Sequence, residues 1–219
     1  MIDISCLPAQ VPLFSINRCI LVPGCNIPLH VFEDRYVQMI QALDTNAPFI
    51  GLIQTKANVK QTSKKPYYGV GTLGELVDSK RLPKDRYFIV LRGIRRFSLE
   101  GVLKQDGHLY ASGRVGYQKF LEDPSHVDVP LDRTYFFSLL ERYVRSKKLK
   151  IHFKELKSIQ SFEMINILSQ VLPFGCVEKQ SLLECTSHHA RMDQLIALLN
   201  MEISCFEQQT SLSTQTLFN

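Results

Sequence analysis

The glycines of residues 69–74 have the most suggestive chemical spacing in the sequence. Their sequence, GVGTLG, matches the GxGxxG pattern of dinucleotide-binding loops. In such a loop, backbone amides and the N-terminus of the following helix bind a pyrophosphate. Residues 75–78, however, have the character of a strand where that site needs a helix. The site also needs an acid about 20 residues further on, and the residues there are Arg92, Arg95 and Arg96. We therefore expect glycines that let strands bend, and no cofactor.

Other catalytic and metal-binding patterns are weak. Cys25 and His30 are close in sequence but lack the third group that orients a nucleophile and its base. His188 and His189 are adjacent, and adjacent side chains on a helix diverge by about 100°, so the two cannot share a metal. Neither a phosphate-loop Gly-Lys-Ser/Thr nor a GxSxG nucleophile elbow occurs. We expect no enzymatic activity, no catalytic residue and no metal site.

The composition predicts a globular protein of the cytoplasm. Of the 219 residues, 45% are apolar, which suffices for the core of one domain or two small ones. The N-terminus lacks the pattern of a signal peptide, and no segment approaches the roughly 20 apolar residues of a membrane span. The six cysteines include no CxxC pair, so we expect reduced thiols.

The positive charge is concentrated in the middle of the chain. Residues 56–120 carry 14 basic and five acidic side chains, a net charge of +9, whereas the segments on either side each carry −2. Two interpretations are open. The basic side chains either lie on solvated strand faces and loops, or they bind an anionic partner such as nucleic acid.

Short strands separated by turns predominate in the first 120 residues. Residues 47–55 and 87–91 form apolar runs with strand composition. An Asp-Gly pair at residues 106–107 favours a tight turn, which predicts a hairpin joining residues 97–104 to residues 109–117.

Helical periodicity occurs once among these strands and then dominates after residue 120. Residues 34–43 place four apolar side chains on one face, and residues 132–172 repeat the same spacing twice before Pro173. Two more helices are predicted, over residues 177–184 and from Ser187 onward. The sequence thus predicts an α+β fold. Its predicted parts are a β-rich N-terminal subdomain (1–122), a linker (123–131), a helical subdomain (132–205) and a disordered tail (206–219).

Four motifs, in the right order, resemble those of the Lon protease N-terminal domain family. They are Pro-Leu-Phe at residues 12–14 leading to PLHVFEDRY at residues 28–36, YGVGT at residues 68–72, GIRRF at residues 93–97 and EKQSLLE at residues 178–184. Together they cover about residues 10–202. The sequence departs from the common family pattern at two positions. Val22 before Pro23 suits a strand. Asp34 after Glu33 suits the start of a helix.

The resemblance implies a twisted β-sheet or pseudo-barrel of PUA-like type followed by a helical bundle. It also implies a non-catalytic domain that binds peptides, unfolded protein segments or a partner protein, as an adaptor for Lon or another ATP-dependent protease. The ATPase and Ser-Lys protease modules of Lon have no counterpart in this sequence, so the resemblance does not imply proteolysis.

The same resemblance suggests a binding groove between the β and helical parts. The residues expected near it are Phe32, Arg35, Tyr36, Arg96, Gln180 and Glu184. A purely structural alternative is open, in which Arg35, Arg96, Glu178 and Glu184 are ion pairs that hold the two parts together. A second functional alternative is RNA binding through residues 56–120, by analogy with other PUA-like domains. Free strand edges also leave a homodimer open.

Overall fold

The computed structural model describes residues 4–43, 48–56, 66–103, 106–123 and 130–216, with side chains described up to Gln209. The chain forms two compact units. The first consists of Met1–Ser125 and Ser169–Glu184, and the second of His126–Leu168 and Cys185–Asn219.

A six-stranded sheet forms the first unit. Its strands are β1 (Gln10–Ser15), β2 (Asn26–Val31), β3 (Phe49–Ile53), β4 (Val70–Leu82), β5 (Arg86–Leu103) and β6 (Ser112–Gly116). The strand order is β2-β5-β4-β3-β1-β6, and a further pairing of β5 with β6 joins the far end of this order back to its middle. The β1–β3 pair is parallel and the others are antiparallel. Five strands therefore close on themselves, which removes their free edges.

The hairpin predicted around residues 106–107 is confirmed, because Ser98 to Leu103 of β5 pair with Gly116 to Ser112 of β6. The two strands predicted at residues 87–91 and 97–103 are parts of one strand, β5. Of the three GxGxxG glycines, Gly71 and Gly74 lie in strand β4, and Gly69 directly precedes it. A Cβ atom on Gly71 would lie 2.6 Å from Cζ of Phe97 and 2.7 Å from the carbonyl oxygen of Leu52. This glycine therefore permits close packing.

Two apolar clusters fill the first unit. One lies against helix α1 (Asp34–Gln41) and includes Phe14, Leu21, Tyr36, Met39, Ile50 and Leu91. The other includes Leu13, Ile53, Leu73, Phe97 and Val115. Full burial of a large apolar side chain stabilises by about 1.5–3 kcal/mol, so these clusters account for the stability of the barrel.

Helix α1 follows the predicted periodicity closely. Tyr36, Met39 and Ile40 are buried. Arg35 and Gln38 are three positions apart, so they share another face of the helix, one turn from each other. The helix thus packs by one face and presents two polar side chains on another.

The first unit also contains α5 (Cys176–Glu184) and the last residues of α4 (Ser161–Val171). The sequence prediction places both in the helical subdomain of residues 132–205. Lys179 explains how they hold together, because its ammonium donates hydrogen bonds to the carbonyls of Ser169, at 3.0 Å, and of Gln170. A cation at the C-terminal carbonyls of a helix is favoured by the helix dipole.

The second unit is helical, with α2 (Arg133–Ser146), α3 (Phe153–Ser158), the first part of α4, and α6 (His188–Thr216). Asp132 accepts a hydrogen bond from the Tyr135 amide and caps α2, and Ser187 caps α6 as predicted. The α6 helix runs to Thr216, whereas the sequence predicts a disordered tail from residue 206. Most of the predicted linker, residues 124–129, lies outside the described residues.

The predicted α+β class is confirmed. In the described part of the chain, no helix is long and apolar enough to cross a membrane.

Candidate functional site

A groove of about 860 Å³ lies wholly within the first unit. It is bordered by the end of β1, by α1, by Thr55 with Pro66 and Tyr67, and by the loop between β5 and β6. The lining residues are Leu13, Ser15, Asn17, Arg35, Tyr36, Thr55, Pro66, Tyr67 and residues 106–111. Hydroxyl, amide and aromatic groups predominate in this lining.

Tyr36 forms a fixed floor of the groove. Its hydroxyl lies 2.8 Å from the Ser15 hydroxyl, donates to the Ser15 carbonyl at 2.9 Å and accepts from the Ser15 amide at 3.1 Å. Its ring stacks on that of Phe14, with the ring centroids 4.0 Å apart. These contacts hold the Tyr36 side chain in one orientation, so it is a rigid part of the groove floor.

Arg35 places a positive charge at the same end of the groove. Its guanidinium pairs with the Glu33 carboxylate at 2.7 Å and lies 4.4 Å from the centroid of the Tyr36 ring. The pair is partly exposed, so it contributes orientation more than stability.

Tyr67 also lines the groove, where a β-bridge with Thr55 fixes its backbone. Burial raises the pKa of Tyr67, and so does the nearby Tyr36, while Arg35 and a hydrogen bond with Ser15 lower it. These interactions bring the Tyr67 hydroxyl near Ser15, Tyr36 and Arg35. At neutral pH it is a neutral hydrogen-bonding group that faces the cation.

The loop of residues 106–111 forms the opposite wall. The His108 and Tyr110 rings stack with their centroids 4.9 Å apart, and Leu109 between them is 63% exposed. The Ala111 carbonyl accepts a hydrogen bond from the Leu13 amide at 2.8 Å, which ties the end of the loop to β1. Burial raises the pKa of Tyr110, so it too remains neutral.

The structure brings together only part of the predicted site. Arg35 and Tyr36 line the groove, and Phe32, just after β2, is 66% exposed but is not among the lining residues. Arg96, Gln180 and Glu184 form a separate cluster against α5. Two of the six predicted residues therefore line the groove, three lie elsewhere in the first unit, and Phe32 belongs to neither set.

The side chains of Arg96, Gln180 and Glu184 form hydrogen bonds and an ion pair within the first unit. The buried Arg96 pairs with Asp123 at 2.7 Å and donates to the Leu183 carbonyl at 2.9 Å. The Gln180 side chain donates to the Val70 carbonyl at 3.0 Å and to the Glu184 carboxylate at 2.7 Å. The polar groups of these side chains are thus bonded to other groups of the protein. The ion partner of Arg96 is Asp123, which belongs to the same unit, and the alternative of ion pairs that join the two parts stays a prediction.

Much of the positive charge of residues 56–120 is similarly engaged. Arg81 pairs with Asp85, and Arg92 pairs with Glu75 at 2.5 Å. The buried Arg95 donates to two backbone carbonyls, at 2.6 and 2.8 Å. Lys60, Lys64 and Lys65 lie outside the described residues. Within the described part of the segment, Arg81, Arg92 and Arg96 are thus paired with carboxylates, whereas Lys80, Lys84 and Arg86 are exposed.

Sequence reasoning missed Asn17, Tyr67 and Tyr110. They lie in or beside turns, where neither strand nor helix periodicity applies. The available signal was the aromatic residue at the edge of each polar turn, namely Tyr67 after Pro66 and Tyr110 after the Asp-Gly pair. In the described residues, no group of three His, Cys, Asp or Glu side chains is placed to hold a metal.

The first unit thus combines a sheet closed over five strands with a polar, tyrosine-lined groove. The family described as the ATP-dependent protease La (LON) substrate-binding domain matches residues 10–201, and the chain belongs to this family. The matched family is a substrate-binding domain and not a catalytic one.

Curated relatives and solved structures agree with this assignment. The Lon protease of Chloroherpeton thalassium is 22% identical over 94% of this chain and 24% of its own length, and that of Escherichia coli K12 is 22% identical over 90% and 25%. The chain thus spans about a quarter of the length of these relatives. A Lon N-terminal domain protein from Xanthomonas campestris shares the fold with a TM-score of 0.62 at 24% identity, covering 86% of this chain and 97% of that one. The N-terminal domain of a Mycobacterium avium complex Lon protease gives 0.56 at 14% identity, with 89% and 98% covered.

Proposed function

We propose that the groove binds extended segments of unfolded polypeptide. The observation that carries this proposal is the lining, in which three tyrosines, Tyr36, Tyr67 and Tyr110, are interspersed with Ser15, Asn17 and Thr55. Each residue of an extended peptide presents an N–H and a C=O, whatever its side chain. Hydroxyls and amides can pair with those groups, and tyrosine rings give contact area at a low cost in conformational entropy.

Such a lining favours capture that tolerates many sequences. An apolar pocket would select one side chain, whereas hydroxyl and amide groups recognise the backbone that all unfolded chains share. The volume of about 860 Å³ is in the range of about 300–1,000 Å³ typical of ligand sites. It suits a few residues of extended chain.

Strand addition to β2 is the less favoured mode of capture. This strand is at the end of the sheet order, but Pro28 in its middle has no N–H to donate. The Asn26 carbonyl already accepts a hydrogen bond from the Gln170 side chain at 2.8 Å. The edge is thus interrupted at two positions, which supports the groove as the binding surface.

The full role that we propose is delivery of captured segments, as an adaptor, to Lon or another ATP-dependent protease. It rests on membership of a substrate-binding family whose full-length relatives are Lon proteases. A homodimer and a cytoplasmic location remain predictions from the sequence. Nucleic acid is the second candidate, and the carboxylate partners of Arg81, Arg92 and Arg96 reduce the local positive charge that it would need.

Binding of a labelled, reduced and carboxymethylated protein, which cannot refold, tests the proposal by fluorescence anisotropy. We expect Tyr67→Ala and Leu109→Ser each to weaken binding by about 3–10-fold, since each removes one contact worth roughly 0.5–1.5 kcal/mol. Tyr135→Ala is the matched control, because Tyr135 is 51% exposed in the second unit and lies outside the groove. Unchanged affinity in both groove variants, with melting temperatures near that of the parent protein, would overturn the proposal. A single-stranded RNA that binds with a steep dependence on salt, while the unfolded protein does not bind, would favour the second candidate.

A further inference from the structure

The loop of residues 106–111 contributes six residues of the groove lining. The β5–β6 ladder ends at Leu103 and Ser112, so the loop lies beyond it. Gly107 adopts a positive φ of 82°, which turns the chain at its tip. Among the described residues, the Ala111 carbonyl accepts from the Leu13 amide at one end of this loop, and a side chain bonds to its middle.

Gln38 of α1 supplies that support from one amide group. Its Nε2 donates to the Gly107 carbonyl at 3.1 Å, and its Oε1 accepts from the Leu109 amide at 2.7 Å. A glutamine amide has both a donor and an acceptor, so it can reproduce the pairing that a neighbouring strand would give. Gln38 therefore makes the two backbone hydrogen bonds to the loop that a neighbouring strand would otherwise make.

The position of Gln38 on α1 joins the two walls of the groove. Arg35, one turn earlier on the same face, lines the opposite part of the groove next to Tyr36. The rigid contacts of Tyr36 with Ser15 and Phe14 fix α1 on the barrel. The loop is thus held by α1, the same helix that contains Tyr36 at the floor of the groove.

We infer that Gln38 is a positioning residue, which sets the width of the groove by holding residues 107–109 against α1. This inference rests on the proposed function and adds a specific determinant of affinity. Gln38 itself is not among the groove lining, so it would act through Leu109 and the stacked rings of His108 and Tyr110.

Two variants separate the donor from the acceptor. Gln38→Met keeps the size and flexibility of the side chain but loses both hydrogen bonds. Gln38→Glu keeps the acceptor for the Leu109 amide and loses the donor to Gly107. Gln41→Met is the matched control on the same helix, because Gln41 is exposed and its amide lies a marginal 3.5 Å from the Tyr87 hydroxyl.

Amide hydrogen exchange and binding of the carboxymethylated protein are measured on the full chain. In Gln38→Met we expect exchange at Leu109 to accelerate about 10-fold and affinity to fall about 3–10-fold, as the loss of two exposed hydrogen bonds implies. In Gln38→Glu the Leu109 amide should stay protected from exchange. The affinity of this variant for the carboxymethylated protein should lie between that of the parent protein and that of Gln38→Met. Gln41→Met should match the parent protein in both respects.

Several results would overturn the inference. Unchanged exchange at Leu109 in Gln38→Met would show that Gln38 does not hold the loop. Faster exchange with unchanged affinity, while Tyr67→Ala weakens binding, would leave the groove as the site but remove Gln38 from its determinants. If neither Gln38→Met nor Tyr67→Ala alters affinity, the groove is not the site, and the proposed function fails together with the inference.

Discussion

The side-chain amides of Gln54 and Gln180 bond to each other in the buried interior of the first unit, with Nε2 of Gln54 3.0 Å from Oε1 of Gln180. Gln54 also donates to the Cys176 carbonyl at 3.1 Å, and Gln180 donates to the Val70 carbonyl and to Glu184. This network attaches α5 to β3 and β4. The EKQSLLE motif is therefore explained by packing within the first unit.

Gln180→Leu is expected to destabilise the protein by about 2–4 kcal/mol, because it removes one of the two acceptors of the buried Gln54 amide and the side-chain donor to the Val70 carbonyl. Urea unfolding followed by circular dichroism measures the loss. The double variant Gln54→Leu/Gln180→Leu should lose less than the sum of the two single variants, since both ends of the shared bond become apolar. Strict additivity would show that the two amides are not coupled.

The Arg96–Asp123 pair should be worth far more than a surface pair. Both side chains are buried, and Asp123 also accepts a hydrogen bond from the Arg96 amide at 3.1 Å. Asp123→Asn leaves a buried guanidinium without its counter-charge, so we expect a loss of about 3–5 kcal/mol. Glu75→Gln is the matched control, because it breaks the more exposed pair with Arg92 and should cost about 0–1 kcal/mol. Similar losses in the two variants, measured by urea unfolding, would contradict this difference.

The same pair shows how far sequence reasoning could reach. Helix α1 and the β5–β6 hairpin follow from periodicity and from an Asp-Gly turn, both of which act over a few residues. Arg96 was recognised from its motif, but its partner Asp123 lies in a segment that reads as a linker. A pairing over 27 residues depends on how the strands are arranged, and local patterns do not determine it.

The groove was predictable only where it coincides with a motif. Arg35 and Tyr36 are the last two residues of the PLHVFEDRY stretch, and both line the groove. Tyr67 and Tyr110 are brought to it by strand register and turns, which one sequence does not reveal. Arg96, Gln180 and Glu184 are not among the lining residues of this groove, and their place in a binding surface stays a prediction.

Lys179 should make stability depend on pH in an unusual direction. Burial lowers the pKa of its ammonium from 10.5 to about 8, although the nearby Cys19 partly opposes this. Above pH 8 the unfolded chain therefore binds more protons than the folded protein, so stability should rise with pH up to 10.5. Burial raises the pKa of Cys19 from 9.0 to about 11, and this opposite contribution begins above pH 9.

The window below pH 9 isolates the lysine. From about pH 7 to about pH 9, the unfolding free energy of the parent protein should rise by on the order of 1 kcal/mol relative to that of Lys179→Met. Lys157→Met is a suitable control, because Lys157 is exposed in the second unit. Parallel pH profiles for the parent protein and Lys179→Met would contradict a lowered lysine pKa.

Two glycines of the GVGTLG stretch should respond differently to the same substitution. In Gly71→Ala the new methyl group would meet the Phe97 ring at 2.6 Å and the Leu52 carbonyl oxygen at 2.7 Å, and both belong to the packed barrel. A Cβ on Gly69 meets nothing within 4 Å. We therefore expect Gly71→Ala to cost about 1–3 kcal/mol through overpacking, and Gly69→Ala to change stability by less than about 0.5 kcal/mol. Thermal and urea unfolding of the two variants provide the comparison. Equal effects would contradict close packing as the reason for the glycine at position 71, since the two substitutions are chemically identical and lie two residues apart in sequence.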